Sequence, residues 1–163
     1  MQATVWNVRG LNRQDRQVAV GDLGLEFSPD NLIWLAWDDD EIRVEILNVN
    51  LQLIHRRVFV RRMLLMSLVS IVYGANDLGT KRDLWQLMGE LASSIMDEQW
   101  MVLGDFITVL DMSEVCGASG DIRAAMEDSQ NCILDAGLIK LPMHGKLFTW
   151  HNYSDNNWIC VSC

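Results

Sequence analysis

The sequence predicts a mixed fold, an α/β or α+β sandwich, because the period of its apolar residues changes along the chain. The first half carries runs of β-branched and aromatic residues, several of which alternate with polar residues as half-buried strands do. Two later segments repeat apolar residues every three or four positions, which is typical of one face of a helix. Runs of strands broken by single helices are not the pattern of a simple doubly wound sheet.

The strands are expected where β-branched and aromatic runs end at glycine, asparagine or aspartate. A weak strand or turn near residues 23–27 interrupts an otherwise loop-like segment from 12 to 30. The segment 63–73 is too apolar for an edge and is expected to be central in its sheet. The other predicted strands are 3–8, 31–38, 42–49, 52–60, 99–105 and, last in the chain, 146–152.

Two amphipathic helices are predicted. The first covers residues 79–96, with Leu84, Trp85 and Met88 on one face, and Thr80 is the expected cap. The second lies within residues 120–138, and Gly137 is expected to end it.

The bulk composition is that of one soluble globular domain, expected over residues 1–163. Half of the 163 residues are hydrophobic and 21% are charged. The net charge of −9 repels nucleic-acid phosphates and argues against general nucleic-acid binding. The acidic chain nevertheless contains one cluster of basic residues, the basic strip. Two interpretations of it are open: the solvated end of a hairpin, or a site that contacts phosphate. The basic strip consists of His55, Arg56, Arg57, Arg61 and Arg62.

The four cysteines do not predict a metal site. Cys160 and Cys163 form a C-x-x-C without a second pair at zinc spacing, and His144 and His151 do not complete a ligand set. Free thiols in a reducing compartment are therefore expected. The first residues do not resemble a signal peptide, and the longest apolar segment, 11 residues, is too short to span a bilayer. We expect an intracellular protein, nuclear or cytoplasmic, without a membrane partner.

Four short motifs follow one another in a specific order. They are "VWNVRGLN" (5–12), "SIVYGAND" (70–77), "VLGDF" (102–106) and "LFTWHN" (147–152). Each ends a predicted strand with polar residues, where function collects in layered folds. The ordered set resembles the endonuclease/exonuclease/phosphatase family, and most closely the endonuclease domain of plant non-LTR (LINE-type) retrotransposons. The resemblance extends from Ala3 to about Asn152, nearly the whole chain.

This resemblance implies a four-layer sandwich of two packed, mostly antiparallel β-sheets flanked by helices. It also implies Mg²⁺-dependent cleavage of phosphodiester bonds in DNA, in which the metal offsets charge that develops on the phosphate. Asn7 matches the residue that helps to organise the metal site, and Tyr73 matches one near the scissile phosphate. Asp105 matches the residue that positions the nucleophile. Asn7 and Asp105 are thus the expected catalytic and metal-site residues, together with Tyr73 in catalysis.

Contacts to nucleic acid are expected, on the same resemblance, from Asn76, Arg9 and Trp150. The residues themselves leave a structural alternative open for several of these sites. Asparagines such as Asn76 are good turn residues, Tyr73 suits a core, and Asp105 suits the end of a strand.

Four departures from the family pattern predict a loss of activity. The family's L-x-E-T glutamate is missing, and Glu26 in "GLEF" is the one glutamate within reach in the sequence. Ile107 stands where the family has the asparagine of G-D-x-N, and an aliphatic side chain cannot donate a hydrogen bond to phosphate. The family's later R-L-D and S-D-H motifs are absent from the sequence. We therefore expect an internally deleted, C-terminally truncated and incomplete domain that is catalytically silent.

Two other hypotheses remain open. The chain could be a residual metal-dependent nuclease or phosphatase that uses Asp105, Asn7 and a further carboxylate, Glu26 or Asp22. Alternatively, it could be a non-enzymatic interaction domain that retains only the fold.

An open sheet edge at the strand "LFTWHN" is expected to cause self-association.

Overall fold

The computed structural model describes residues 4–7, 24–30, 32–95, 97–116, 122–141, 150–151 and 160–161. The described strands are β1 (Thr4–Asn7), β2 (Gly24–Phe27), β3 (Ile33–Trp37), β4 (Ile42–Val49), β5 (Leu53–Val60), β6 (Leu65–Tyr73), β7 (Trp100–Asp105), β8 (Val115–Cys116), β9 (Trp150–His151) and β10 (Cys160–Val161). The helices are α1 (Leu78–Ser94) and α2 (Arg123–Asp135), and 3₁₀ turns occupy Arg61–Met63 and Met112–Glu114.

The predicted α+β class is confirmed. Mostly antiparallel sheets and two helices make up the described part of the chain. Contacts group the chain into two compact units. The first contains Met1–Tyr73 with Asp97–Asp105, and the second contains Gly74–Met96 with Phe106–Cys163. The expectation of a single domain stays a prediction.

A four-stranded sheet in the order β4-β5-β6-β7 forms much of the first unit. The pairs β4–β5 and β5–β6 are antiparallel, and β6 and β7 are parallel. The apolar strand β6 is internal, as its composition predicts, with a hydrogen-bonded neighbour along each edge. Leu68, Ile71 and Val72 of β6 are each no more than 2% exposed.

A three-stranded antiparallel sheet in the order β1-β3-β2 completes the first unit. The weak strand near residues 23–27 is confirmed as β2, which pairs with β3. At Gly24, a β-carbon would lie 2.3 Å from the indole of Trp37, so any larger residue there would displace that side chain. The two sheets of this unit contact each other through β3 and β6, with Ile33 and Leu35 of β3 buried.

Helix α1 in the second unit begins with a cap other than the expected one. Asp77 is the N-cap, and its Oδ1 accepts a hydrogen bond from the backbone N–H of Thr80 at 2.8 Å. The prediction that Thr80 is the cap is therefore wrong, because the N-cap lies three residues earlier, at Asp77, and Thr80 is already within the helix. The Thr80 N–H hydrogen bond lowers the pKa of the Asp77 carboxyl.

Helix α2 ends at glycine, as predicted. Gly137 has φ +64, its N–H donates to the carbonyl of Leu134, and Leu138 N–H donates to that of Ile133. These two bonds form a Schellman motif, which satisfies carbonyls that the helix leaves open. Leu84 and Met88 of α1 and Cys132 of α2 belong to the buried core of this unit.

A small antiparallel sheet in the order β8-β10-β9 also belongs to the second unit. The prediction that 146–152 is the last strand is wrong, because β10 follows β9 and pairs with it and with β8. Within that predicted strand, residues 146–149 and 152 lie outside the described part of the chain.

In the described ranges, no helix is long and apolar enough to cross a membrane.

Candidate functional site

Tyr73 and Asp105 end two neighbouring strands in matched register. β6 and β7 run parallel, and the Cα partner of Tyr73 is Asp105. Register partners on adjacent strands project from the same face of a sheet, so the side chains of Tyr73 and Asp105 start from neighbouring positions on one face. Tyr73 is 6% exposed, and Asp105 is half-buried. Two of the predicted catalytic residues are thus adjacent because strand pairing makes them so.

The glycine before Asp105 is required by backbone geometry. Gly104 has φ +136, and a β-carbon there would lie 2.0 Å from the carbonyl oxygen of Val72 on β6. Only glycine adopts this conformation and approach without displacing the neighbouring strand. Gly104 therefore has a structural reason that is independent of chemistry.

Ile107 adopts a left-handed backbone conformation two residues after Asp105. Its φ is +49, which is a rare value for a β-branched residue because its β-carbon crowds the following carbonyl. Asparagine and glycine tolerate this conformation far better. The carbonyl oxygen of Ile107 accepts a hydrogen bond from Nζ of the buried Lys81 at 2.6 Å, which helps to hold the turn in place.

The other predicted site residues belong to other elements of the chain. Asn7 ends β1 in the three-stranded sheet of the same unit, where its register partner is Ile33. Asn76 lies in the loop before α1, in the second unit. Trp150 lies in β9 of the second unit, and Arg9 and Asp22 lie outside the described residues.

Glu26, the candidate replacement for the missing glutamate, faces a buried arginine. Oε2 of Glu26 on β2 lies 3.4 Å from Nη2 of Arg56 on β5, so the pair joins the two sheets of the first unit. The Arg56 side chain is 0% exposed and that of Glu26 is 23% exposed. Burial lowers the pKa of the Arg56 guanidinium, and Glu26 partly offsets that effect.

The described ends of β6 and β7 offer few oxygen ligands for Mg²⁺. Mg²⁺ is held by carboxylates and other oxygen ligands, and it is repelled by a nearby guanidinium. The ends of β6 and β7 contribute one carboxylate, that of Asp105, and one phenol, that of Tyr73. The carboxylate of Glu26 is already paired with a positive charge. In the part of the chain that the structure describes, no group of three or more acidic, histidine or cysteine side chains could hold a metal ion.

The basic strip is engaged by acidic groups and main-chain oxygen. Arg57 contacts Glu45 and Glu98, both at 3.2 Å, and the exposed Arg62 contacts Glu41 at 3.0 Å. Arg61 donates to the backbone carbonyl of Asp39. The reading as a solvated hairpin end is wrong for His55 and Arg56, because both side chains are buried.

Sequence reasoning missed a buried polar network around Ser70. Nδ1 of His55 lies 2.7 Å from Oγ of Ser70, and Nε1 of Trp100 donates to the same oxygen at 2.9 Å. The direction of the His55–Ser70 hydrogen bond depends on the tautomer of the imidazole, because a hydroxyl that accepts from the indole still has both a donor and an acceptor position for Nδ1. Burial and Arg57 both lower the pKa of His55, while Glu98 raises it. The sequence signal was the polar pair His55 and Ser70 within two apolar strands that prove to be adjacent.

A cleft of about 360 Å³ lies along α1 and α2 in the second unit. Trp85 and Cys132 line the cleft. Arg82 and Asp128 line it as well, and they form an ion pair in which Nε of Arg82 lies 2.7 Å from Oδ2 of Asp128. Burial raises the pKa of the Cys132 thiol to about 11, so this thiol stays protonated and unreactive at neutral pH.

Comparison of the chain with models of protein families finds no match, and comparison with curated proteins finds none.

Proposed function

We propose that this chain is a degenerate endonuclease domain of the endonuclease/exonuclease/phosphatase type, similar to those of plant LINE-type retrotransposons, and that it does not cleave DNA. The observation that carries the family assignment is the matched register of Tyr73 and Asp105 at the ends of β6 and β7. A tyrosine and an aspartate in matched register, at the ends of neighbouring strands, are the arrangement that the resemblance leads us to expect of a phosphodiesterase.

Two further observations support the loss of activity. The backbone of Ile107 has a φ of +49, a left-handed conformation that the family's asparagine would adopt at a lower energetic cost. An isoleucine keeps the turn but supplies no hydrogen-bond donor for a phosphate oxygen. Glu26, the remaining candidate for the metal glutamate, is paired with Arg56. Groups that act as a unit lose most of their catalysis when one member is removed.

The alternative is a residual metal-dependent nuclease or phosphatase built on Asp105. Its support is the same adjacency of Tyr73 and Asp105, with Asn7 as a further donor and Glu26 or Asp22 as a second carboxylate. For Glu26 to serve, its ion pair with Arg56 would have to open, and the buried guanidinium would then lose its counter-charge.

Plasmid nicking in Mg²⁺ or Mn²⁺ tests both proposals. The matched variants are Asp105→Ala, which removes the carboxylate, and Ile107→Asn, which restores the asparagine of the family pattern. We expect the wild type and Asp105→Ala to give the same background of nicked plasmid. Nicking by the wild type that disappears in Asp105→Ala would refute the silent domain and establish the residual enzyme.

The family assignment has its own readout. If the site is a degenerate phosphodiesterase site, Ile107→Asn should raise nicking or Mn²⁺-dependent DNA binding above background, and Ile107→Asn with Asp105→Ala should not. If the wild type, the two single variants and the double variant all behaved alike, Ile107 would no longer support the family assignment. The description of the fold would not be affected.

A further inference from the structure

Strand β4 is an edge strand whose outer side is open in the described structure. It stands first in the sheet order β4-β5-β6-β7, and no described strand pairs with its other side. Five of its eight residues are exposed, and they include Ile46 at 54%. An open strand with exposed apolar residues is a template for pairing with another strand.

Hydrogen bonding within the sheet shows which main-chain groups of β4 point outward. Arg61 N–H donates to the carbonyl of Glu41, the residue before β4. In an antiparallel ladder such bonds recur at every second residue, so Arg43 and Glu45 direct their main-chain groups toward β5. Val44 and Ile46 therefore direct theirs to the open side. The N–H of Ile42 is already bonded to the carbonyl of Asp38 at 2.8 Å.

The regular part of β4 has a defined centre. Ile42 to Ile46 pair with β5 without interruption, and a bulge between Ile46 and Asn48 then breaks the register. The middle residue of this regular segment is Val44. If two copies of β4 pair antiparallel over this whole segment, the two-fold axis that relates them must therefore pass through Val44.

The charges on β4 match in that register. With Val44 opposite Val44 of a second copy, Arg43 stands opposite Glu45 of the other chain, twice by symmetry. An axis at Arg43 or at Glu45 would instead bring like charges together. The same register sets the exposed Ile46 against Ile42 of the second copy. About four main-chain hydrogen bonds would form, from Val44 N–H and Ile46 N–H of each chain.

We propose that β4 is a self-recognition edge, through which two copies of this chain pair their β4 strands antiparallel about Val44. Charged residues on an edge usually deter pairing, but the order Arg43, Val44, Glu45 deters other strands while it fits its own copy. The occupant is thus a second copy of the chain. The inference does not depend on the proposed function, because β4 carries none of the predicted site residues.

Charge reversal combined with analytical ultracentrifugation tests the pairing. Arg43→Glu places a second carboxylate opposite Glu45 of the other copy, and it should raise the dimer dissociation constant by about tenfold or more. Lys140→Glu is the matched control, because it makes the same change in net charge at a residue of the second unit. The double variant Arg43→Glu with Glu45→Arg exchanges the two charges and should restore the dimer. Arg57 keeps Glu98 as a partner in that variant.

A second measurement covers the case in which a charge variant folds poorly. Val44→Cys should form a symmetric disulfide between two chains under mild oxidation, because hydrogen-bonded antiparallel pairs have Cα atoms about 5.5 Å apart. Leu51→Cys, exposed but beyond the bulge, should not exceed the background of the native cysteines. A monomeric wild type, or an Arg43→Glu variant that dimerises as the wild type does, overturns the proposal. So does equal cross-linking of the two cysteine variants.

Discussion

Arg56 and Glu26 form an ion pair that joins the two sheets of the first unit, with the arginine side chain wholly buried. The Nη2–Oε2 distance is 3.4 Å, and the guanidinium nitrogens of Arg56 have no hydrogen-bond partner of good geometry among the residues described. A buried charge with so few partners is costly, and Glu26 is what makes its burial tolerable.

Removal of Glu26 should therefore destabilise the fold strongly. Glu26→Gln leaves the buried guanidinium without a counter-charge, which costs about 3–5 kcal/mol for a fully buried pair and less here, since Glu26 is partly exposed. Urea unfolding followed by circular dichroism measures the loss. Glu26→Gln combined with Arg56→Met should recover most of it, because the double variant buries neither charge. A single variant as stable as the wild type would show that another group neutralises Arg56.

Replacement of Ile107 should stabilise the chain. A left-handed conformation costs a β-branched residue about 1–2 kcal/mol, and glycine or asparagine avoids most of that cost. Ile107→Asn and Ile107→Gly should each raise the midpoint of thermal unfolding. The control Ile139→Asn changes an exposed isoleucine, 86% accessible, and should stay within about 0.5 kcal/mol of the wild type. Lower stability in both Ile107 variants would mean that packing of its side chain outweighs the strain.

Alanine scanning of two glycines should give opposite results. Gly104→Ala forces a β-carbon to within 2.0 Å of the Val72 carbonyl oxygen, so β6 and β7 must separate next to Asp105. We expect a large loss of stability, on the order of 3 kcal/mol. Gly89→Ala in α1 meets no atom within 4 Å and should stabilise the helix by about 0.5–1 kcal/mol. Differential scanning fluorimetry of the two variants is sufficient to compare them.

Acidification should weaken the fold through His55. Burial lowers the pKa of His55 below the ordinary value of 6.5, so the unfolded chain binds a proton before the folded chain does. The stability that neutral His55 contributes is complete above pH 6.5 and is lost as the pH falls through the lower folded value. His55→Gln should flatten the pH dependence of urea midpoints between about pH 7.5 and pH 5.5. Identical slopes in the wild type and His55→Gln would exclude this network as their source.

Much of the local structure could be predicted from residue patterns alone. The apolar run of β6 indicated an internal strand, and Gly137 indicated the end of α2, because the apolar content of a segment and a helix-ending glycine can both be read locally. The candidate site was predictable in part. Tyr73 and Asp105 were each marked as strand ends, but their adjacency depends on parallel pairing of strands that α1 separates in the chain.

Amino-acid order by itself indicated the longer strands, both helices, the glycine that ends α2, and the uneven spread of charge along an acidic chain. Tertiary structure alone decided the environment of individual side chains. Arg56 belongs by sequence to a basic strip, yet pairing of β5 between β4 and β6 turns it inward to Glu26, while the next residue, Arg57, turns outward to Glu45. The physical reason is that strand residues alternate between faces, and which face is buried depends on partners distant in sequence.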